Sequence, residues 1–98
     1  MSLPVRIREE AEADLADAAA WYENQWPGLG DAFLAEIEAA PERLANNPQQ
    51  YPVVHRQTRR ALIHRFPFGI FFRTLEGEVV VIAVMHARRS PRQWKTRG

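Results

Sequence analysis

The first quarter of the chain changes from a strand period to a helix period. Leu3, Val5 and Ile7 alternate with proline or arginine, which is typical of a short, half-buried strand. From Glu9 to about Trp26 the apolar residues recur every three or four positions, so the pattern predicts an amphipathic helix. Its apolar side is formed by Ala11, Leu15, Ala18, Ala19, Tyr22 and Trp26.

A second helix is predicted after a turn at Pro27 and Gly28. Apolar residues repeat at helical spacing from Leu29 to about Asn46, where the pattern stops. Pro41 lies inside this helix and removes a backbone hydrogen-bond donor, so we expect a kink or a break there. The aromatic residues of both helices are interpreted as core residues between helices and sheet: Trp21, Tyr22, Trp26 and Phe33.

Three strands are predicted in the second half of the chain. They run from Arg60 to Phe66, from Ile70 to Leu75 and from Glu78 to His86, separated by turns that contain glycine. The order strand, helix, helix, strand, strand, strand predicts an α+β fold of two layers, in which the second helix runs back along the first.

The last of these strands is apolar on both faces. Simple alternation places Val79, Val81, Ala83 and Met85 on one face and Val80, Ile82 and Val84 on the other. A strand of this kind belongs in the middle of a sheet, with helices on one side and a further cover on the second side. That cover is either another protein or the loops and C-terminal tail of the same chain.

The composition is that of a small folded protein. Its 98 residues suit one domain, spanning residues 1–98, and contents of 46% apolar and 26% charged residues are ordinary for a globular chain. The chain has no cysteine, no apolar run long enough to span a membrane and no apolar segment of a secretion signal near its N-terminus. We therefore expect a cytoplasmic protein without a disulfide, a metal or another cofactor.

Charge divides the chain into two opposite halves. Residues 1–54 carry three basic and ten acidic side chains, whereas residues 55–98 carry ten basic and two acidic ones. The net charge of +1 for the whole chain hides this division. The basic half suggests a surface for a polyanion or for an acidic protein partner.

Short motifs follow one another along nearly the whole chain. They are Ala13-Asp14-Leu15, Trp21-Tyr22-Glu23, Pro27-Gly28-Leu29-Gly30 with Phe33, Asn47-Pro48 with Tyr51-Pro52, Arg59-Arg60, Arg65-Phe66-Pro67-Phe68, and His86-Ala87-Arg88-Arg89-Ser90-Pro91 with Trp94 and Arg97. In this order and spacing they resemble the RelE/ParE superfamily of toxins, and especially its ParE-like branch of plasmid-stabilisation toxins. The resemblance implies a twisted antiparallel sheet packed on a helical hairpin, which agrees with the predicted order of elements.

The same resemblance implies the toxin of a type II toxin–antitoxin pair, neutralised by an antitoxin whose extended or helical C-terminal segment wraps it. ParE-like members act on DNA gyrase and RelE-like members cut messenger RNA in the ribosome, and fold alone does not choose between these targets. RelE-like enzymes use a tyrosine near the C-terminus, whereas the stretch from Arg88 to Arg97 contains Trp94 and no tyrosine. We therefore predict gyrase inhibition by binding, with ribosome-dependent cleavage of messenger RNA or a nontoxic, partner-binding role as alternatives.

Candidate site residues come from the basic half. For a ribonuclease the catalytic candidates are Arg60, His86, Arg88 and Arg89, because an imidazole can move a proton and arginines stabilise a phosphate in its transition state. The alternative role of His86 is to fix the strand end by a hydrogen bond. The alternative for any single arginine is a solvated charge or a salt bridge to the acidic helices. The predicted target contacts are Arg59, Arg60, Arg65, Arg88, Arg89, Trp94 and Arg97.

Overall fold

The two periods of the sequence correspond to a layer of helices and a layer of strands. The computed structural model describes residues 2–88 and 92–97. Its elements, in chain order, are β1 (Val5–Ile7), α1 (Glu9–Gln25), α2 (Leu29–Glu38), α3 (Ala40–Asn46), a 3₁₀ turn (Pro48–Gln50), β2 (Val53–His55), β3 (Thr58–Leu62), β4 (Phe68–Leu75), β5 (Glu78–His86) and α4 (Arg92–Lys95).

Within the described residues the strands form a five-stranded sheet with the order β1-β5-β4-β3-β2. The α+β fold and the predicted order of the elements are confirmed. Neighbours from β2 to β5 pair antiparallel, whereas β1 pairs in parallel with β5, with Val5 opposite Val79. The first strand of the sequence therefore lies beside the last one, and β2 adds a short edge strand that the sequence pattern does not predict.

The strand predicted from Arg60 to Phe66 is observed earlier in the chain, because β3 begins at Thr58 and ends at Leu62. The residues that follow form a turn. In this turn the Ile63 N–H donates to the carbonyl of Phe68, the first residue of β4, at 3.1 Å. Ile63 and Phe66 still reach the core from this turn. Their apolar spacing therefore imitates a longer strand.

β5 lies between β1 and β4, but its faces do not follow simple alternation. In the register with β4, Phe71 lies opposite Ala83 and Phe72 lies opposite Val81, so Ile82 is an extra residue in β5. This β-bulge exchanges the faces of the residues that follow it. The simple assignment of faces is therefore wrong from residue 83 onward. The helix-side core contains Val79, Val81 and Val84, and the opposite side contains Val80, Ile82, Ala83 and Met85.

The helices pack on the sheet around an aromatic cluster. Tyr22 and Phe33 are buried, with ring centroids 5.3 Å apart, and both rings contact Phe66. Trp21 and Trp26 are 58% and 72% exposed, so their assignment to the core is wrong. Trp21 points about 100° away from Tyr22 around the helix axis. Trp26 follows the last residue of α1, where the backbone is already extended at φ −160°.

The second predicted helix is broken, as the proline inside it predicts. α2 ends at Glu38, α3 begins at Ala40, and Pro41 occupies the first turn of α3. A proline is tolerated there because the first N–H groups of a helix have no partner within it. Among the described residues, no helix combines the length and the apolar character that crossing a membrane requires.

The second side of the sheet is covered in part by the C-terminal residues. Trp94 of α4 is 5% exposed and stacks on Phe71, with ring centroids 4.5 Å apart and an angle of 22° between the ring planes. Trp94 thereby closes a smaller core that includes Ile82 and Met85. Two covers are predicted for the second side of β5, either another protein or parts of the same chain. The described residues show the second kind, the C-terminal tail of this chain.

Gly30 marks a close approach between α1 and α2. A methyl group at this position would lie 2.6 Å from the backbone oxygen of Ala19 and 3.1 Å from Cβ of Glu23. Because the helices must shift to admit it, Gly30→Ala is expected to lower the free energy of unfolding by about 2 kcal/mol, as overpacking typically does. Chemical denaturation measures this, and Ala35→Ser on an exposed position of α2 should stay within about 0.5 kcal/mol. Equal midpoints for both variants would contradict the prediction.

Candidate partner-binding and target-binding surfaces

Two of the predicted target contacts are exposed together at one end of the sheet. The Ala87 N–H donates to the Pro67 carbonyl at 2.7 Å, which holds the turn before β4 beside the end of β5. Arg65 in this turn and Arg88 after β5 are both exposed. We call Arg65 and Arg88 the basic tip. Arg89, predicted to act with them, lies outside the described residues.

A second basic group lies on the side of the sheet that faces away from α1 and α2. Arg60 lies opposite Phe71 in the pairing of β3 with β4, and Arg73 is on the same side of β4 as Phe71. A methyl group at Gly69 would be 3.0 Å from Cγ of Arg60, so the glycine leaves room for this arginine to lie across the strand. Arg60 Nε is buried and has no hydrogen-bond partner within the described residues. We call this side of the sheet, which carries Arg60, Phe71, Arg73 and Trp94, the second sheet face.

His55 also belongs to the second sheet face, with its ring 6.0 Å from that of Trp94. Partial burial lowers the pKa of His55, and the positive charges of Lys95 and Arg56 lower it further. Its imidazole is therefore neutral at pH 7 and can accept a proton. The pattern of apolar residues does not reveal this position of His55, because β2 is a three-residue strand without clear alternation.

Two other predicted target contacts hold the chain itself together. The Arg59 guanidinium donates from Nη1 to the carbonyls of Tyr51 at 2.6 Å and Gln49 at 3.3 Å. The Arg97 guanidinium donates to the Asp14 carboxylate of α1, with Nη1 2.6 Å from Oδ2 and Nη2 3.3 Å from Oδ1. Both guanidinium groups are thus engaged in hydrogen bonds within the chain, whereas the Arg65 guanidinium of the basic tip lies over the Phe66 ring, 5.5 Å from its centroid.

Asp14 and Arg97 together cap an edge of the sheet, and we call them the edge clamp. The last pair between β1 and β5 involves Val81, so within the described residues the remainder of β5 has no neighbouring strand on this side. The Val84 N–H donates to Asp14 Oδ2 at 3.0 Å, and Arg97 Nη1 donates to the Ile82 carbonyl at 3.2 Å. The carboxylate and the guanidinium thus replace the acceptor and the donor of a further strand.

An apolar cleft opens between α1 and the end of β5, with a volume of about 530 Å³. We call it the α1–β5 cleft. The exposed Trp21 and the buried Tyr22 both line it, and so does His86, whose ring lies 5.7 Å from that of Phe68. The residues that line the cleft are Asp14, Asp17, Ala18, Trp21, Tyr22, Pro67, Phe68, Val84, Met85 and His86.

The sheet separates the residues proposed for ribonuclease chemistry. His86 contacts Phe68 on the helix side, whereas Arg60 packs beside Phe71 on the second sheet face. Arg88 is close to His86, because its backbone N–H donates to His86 Nδ1 at 3.1 Å. This bond corresponds to the alternative role of His86 at the strand end. His86 and Arg60 do not meet in one site.

The chain is similar in sequence to known toxins. A family model described as the ParE toxin of the type II toxin–antitoxin system parDE matches residues 5–91. Toxin ParE2 from each of two strains of Mycobacterium tuberculosis is 22% identical to this chain over 92 residues, which covers 93% of this chain and 88% of the relative.

The fold recurs in solved structures. A chain of the chromosomal ParDE toxin–antitoxin system from P. aeruginosa has a TM-score of 0.78 at 19% identity, covering 87% of this chain and 96% of that chain. A chain of the toxin–antitoxin complex RelBE2 from Mycobacterium tuberculosis has a TM-score of 0.60 at 22% identity, covering 88% of this chain and 99% of that chain. Because the family model spans β1 to the residues after β5, this chain belongs to the family of ParE toxins of type II toxin–antitoxin systems.

Proposed function

We propose that this toxin acts by binding DNA gyrase, and that a cognate antitoxin neutralises it by binding the toxin. The observation that supports binding over catalysis is the division of the candidate residues by the sheet, with His86 on the helix side and Arg60 on the second sheet face. Cleavage of RNA needs a group that moves a proton close to a cation that stabilises the phosphate. Of the candidate cations within the described residues, Arg88 lies beside His86 but Arg60 lies on the opposite face of the sheet, so the candidates do not form one common site.

The basic tip is suited to contact with a protein. Arg65 and Arg88 are exposed, and the ion pairs found within the described residues involve other arginines, Arg6 and Arg97. A guanidinium combines a planar surface with donors in fixed directions, so arginine is enriched at protein interfaces. A cluster of exposed cations also steers an acidic partner into contact. The proposed gyrase contact is therefore the basic tip.

An antitoxin partner is supported by the solved structures that share the fold, since these come from a ParDE toxin–antitoxin system and a RelBE2 toxin–antitoxin complex. We expect the partner to be a small acidic protein encoded beside this one, because residues 55–98 carry ten basic side chains against two acidic ones. Co-expression of the two genes tests this. A toxin that purifies without the co-expressed neighbour contradicts it.

An in vitro supercoiling assay with purified toxin and gyrase tests the target. Inhibition is expected to rise with toxin concentration, to saturate, and to be reversed by the antitoxin, because binding is the whole of the proposed action. Full gyrase activity at saturating toxin would exclude gyrase as the target. If strong expression without antitoxin also leaves growth unchanged, the chain is a nontoxic partner-binding member of the family.

Ribosome-dependent cleavage of messenger RNA is the second candidate, and the position of His55 favours it. His55 shares the second sheet face with Arg60, so a neutral imidazole and a cation lie on one surface. Such a pair could take the proton of an attacking 2′-hydroxyl and hold the phosphate. Primer extension after induction would then show cuts within codons that His55→Ala removes and His64→Ala, at an exposed histidine, retains. Intact transcripts during growth arrest exclude this candidate.

A further inference from the structure

We propose that His86 is a positioning residue for the basic tip, because its imidazole accepts a hydrogen bond from the Arg88 N–H and so sets the direction in which the Arg88 guanidinium meets gyrase. The proposal rests on the proposed function, in which the toxin binds gyrase through the basic tip. It adds a residue that acts on the target through Arg88, and it gives His86 a role in which no proton is transferred.

The backbone that carries Arg88 is held from two sides. β5 ends at His86, and the Ala87 N–H donates to the Pro67 carbonyl at 2.7 Å. The next N–H, that of Arg88, donates to His86 Nδ1 at 3.1 Å. A side chain that accepts from the N–H two residues later closes the same small loop as the side-chain oxygen of asparagine does in an Asx turn. The imidazole therefore fixes the backbone at the point from which the Arg88 side chain leaves the sheet.

The acceptor belongs to a ring that is packed on the core. His86 lies opposite Phe68 in the register of β4 with β5, and the two ring centroids are 5.7 Å apart. The Phe68 ring in turn lies 5.1 Å from the ring of the fully buried Phe33. Because Nδ1 accepts, the proton of the neutral imidazole is on Nε2. The position of Arg88 is thus tied to the aromatic cluster through one ring.

Arg65, the other member of the basic tip, is oriented by different contacts. Its backbone has φ 71°, a left-handed conformation that residues other than glycine rarely adopt. Its guanidinium lies 5.5 Å from the centroid of the Phe66 ring, and Phe66 is 8% exposed and 4.8 Å from the Tyr22 ring. Both arginines are therefore connected to the same aromatic cluster, Arg65 through Phe66 and Arg88 through His86.

The orientation of these arginines matters because a guanidinium binds a carboxylate in a direction-dependent way. It donates two parallel hydrogen bonds only when the two planar groups are aligned. A side chain that is already oriented also loses less conformational entropy on binding. Loss of the His86 acceptor is therefore expected to weaken gyrase binding although both positive charges of the basic tip remain.

The competing interpretation is that His86 only packs on Phe68 and stabilises the strand end. Two substitutions separate the ring from the acceptor. His86→Phe retains a ring against Phe68 and has no acceptor, whereas His86→Asn has no ring and retains an acceptor that reaches the N–H two residues later. If the acceptor positions Arg88, His86→Phe should impair inhibition and His86→Asn should not. If packing is the whole role, the opposite result is expected.

The supercoiling assay with purified toxin and gyrase measures inhibition by these variants. His86→Phe is expected to raise the toxin concentration for half-inhibition about fivefold, which is within the cost of ordering one long side chain at an interface. His86→Asn should stay within about twofold of the wild type. Thermal unfolding should nevertheless show His86→Asn to be the less stable of the two, because it lacks the ring contact. Inhibition and stability thus rank the two variants in opposite order.

A double-mutant cycle tests whether the effect passes through Arg88. In the Arg88→Ala background His86→Phe is expected to raise half-inhibition less than about twofold further, whereas in the Arg65→Ala background it should retain its effect of about fivefold. Amide hydrogen exchange reports the bond directly. The Arg88 amide should exchange at least about threefold faster in His86→Phe than in the wild type, and it should keep its wild-type rate in His86→Asn.

The outcomes separate the positioning role from the proposed function. Wild-type inhibition by His86→Phe, or equal losses in His86→Phe and His86→Asn, would overturn the positioning role while the wild-type toxin still inhibits gyrase. A full effect of His86→Phe in the Arg88→Ala background would do so as well, because His86 would then act elsewhere. Full gyrase activity at saturating wild-type toxin would overturn the proposed function and the positioning role together. The response to the wild-type toxin therefore distinguishes the two failures.

Discussion

Asp14→Ala is expected to lower the free energy of unfolding by about 3 kcal/mol, because it removes one member of the edge clamp. The Val84 N–H loses its acceptor, and the Arg97 guanidinium loses its carboxylate. The side chains of Asp14 and Arg97 are only 16% and 22% exposed, so water replaces the lost bonds incompletely. The clamp also joins α1 to β5 and to the C-terminal residues, and its loss should loosen all three together.

Urea denaturation measures this loss, with Asp17→Ala as a matched control. Asp17 is exposed on the same helix, so its replacement should stay within about 0.5 kcal/mol. For a domain of this size a loss of about 3 kcal/mol corresponds to a melting temperature lowered by about 12 °C or more. Arg97→Gln, alone and combined with Asp14→Ala, completes a double-mutant cycle, in which a coupling energy of about 1–2 kcal/mol is expected. Equal urea denaturation midpoints for Asp14→Ala and Asp17→Ala would contradict a structural role of the edge clamp.

Local periodicity predicts those helices and strands whose buried side is determined by residues close together in the sequence. The first helix is predicted from Glu9 to about Trp26 and observed from Glu9 to Gln25, and the last strand has its predicted bounds. The break near Pro41 is predictable for a similar reason, since a proline acts on the helix through its own ring and its missing N–H. These features need no information about the rest of the fold.

Features that depend on contacts between distant residues are not visible in the pattern. The bulge at Ile82 arises from the register between β4 and β5, so the alternation of apolar residues assigns the wrong face to the residues after it. Asp14 and Arg97 are 83 positions apart, and nothing near Asp14 in the sequence distinguishes it from the solvated acids of the same helix. The edge clamp therefore becomes evident only when α1 and the C-terminal residues are placed beside β5.

The same dependence on contacts between distant residues explains why the sequence predicts the candidate site only in part. Charge counting predicts a basic surface in residues 55–98, but it does not show which arginines are engaged within the chain. Arg59 and Arg97 are held by carbonyls and a carboxylate that the fold brings close, whereas Arg65 and Arg88 are exposed. The arginines available to a target are therefore a subset of those that the sequence suggests, and this subset can be tested separately.

The double substitution Arg65→Glu and Arg88→Glu is expected to weaken gyrase inhibition about 100-fold, which corresponds to about 2.7 kcal/mol of binding free energy. Both side chains are exposed at the basic tip. Reversing their charge removes two attractive contacts and places two carboxylates against a surface that is complementary to cations. Neither side chain supports the fold by an ion pair within the described residues, so folding should be retained.

The supercoiling assay gives the toxin concentration for half-inhibition, and thermal unfolding verifies the fold of each variant. The matched control is Arg43→Glu with Arg56→Glu, which changes the net charge equally. Arg43 lies on α3, and Arg56 lies in the turn between β2 and β3, at the end of the sheet opposite the basic tip. The control should change half-inhibition less than about threefold, because distant charges are screened beyond roughly 8 Å at physiological salt. Equal losses in both double variants would indicate attraction by net charge, and no loss in either would place the gyrase contact away from the tip. Only a selective loss at Arg65 and Arg88 makes the tip the surface that recognises the target.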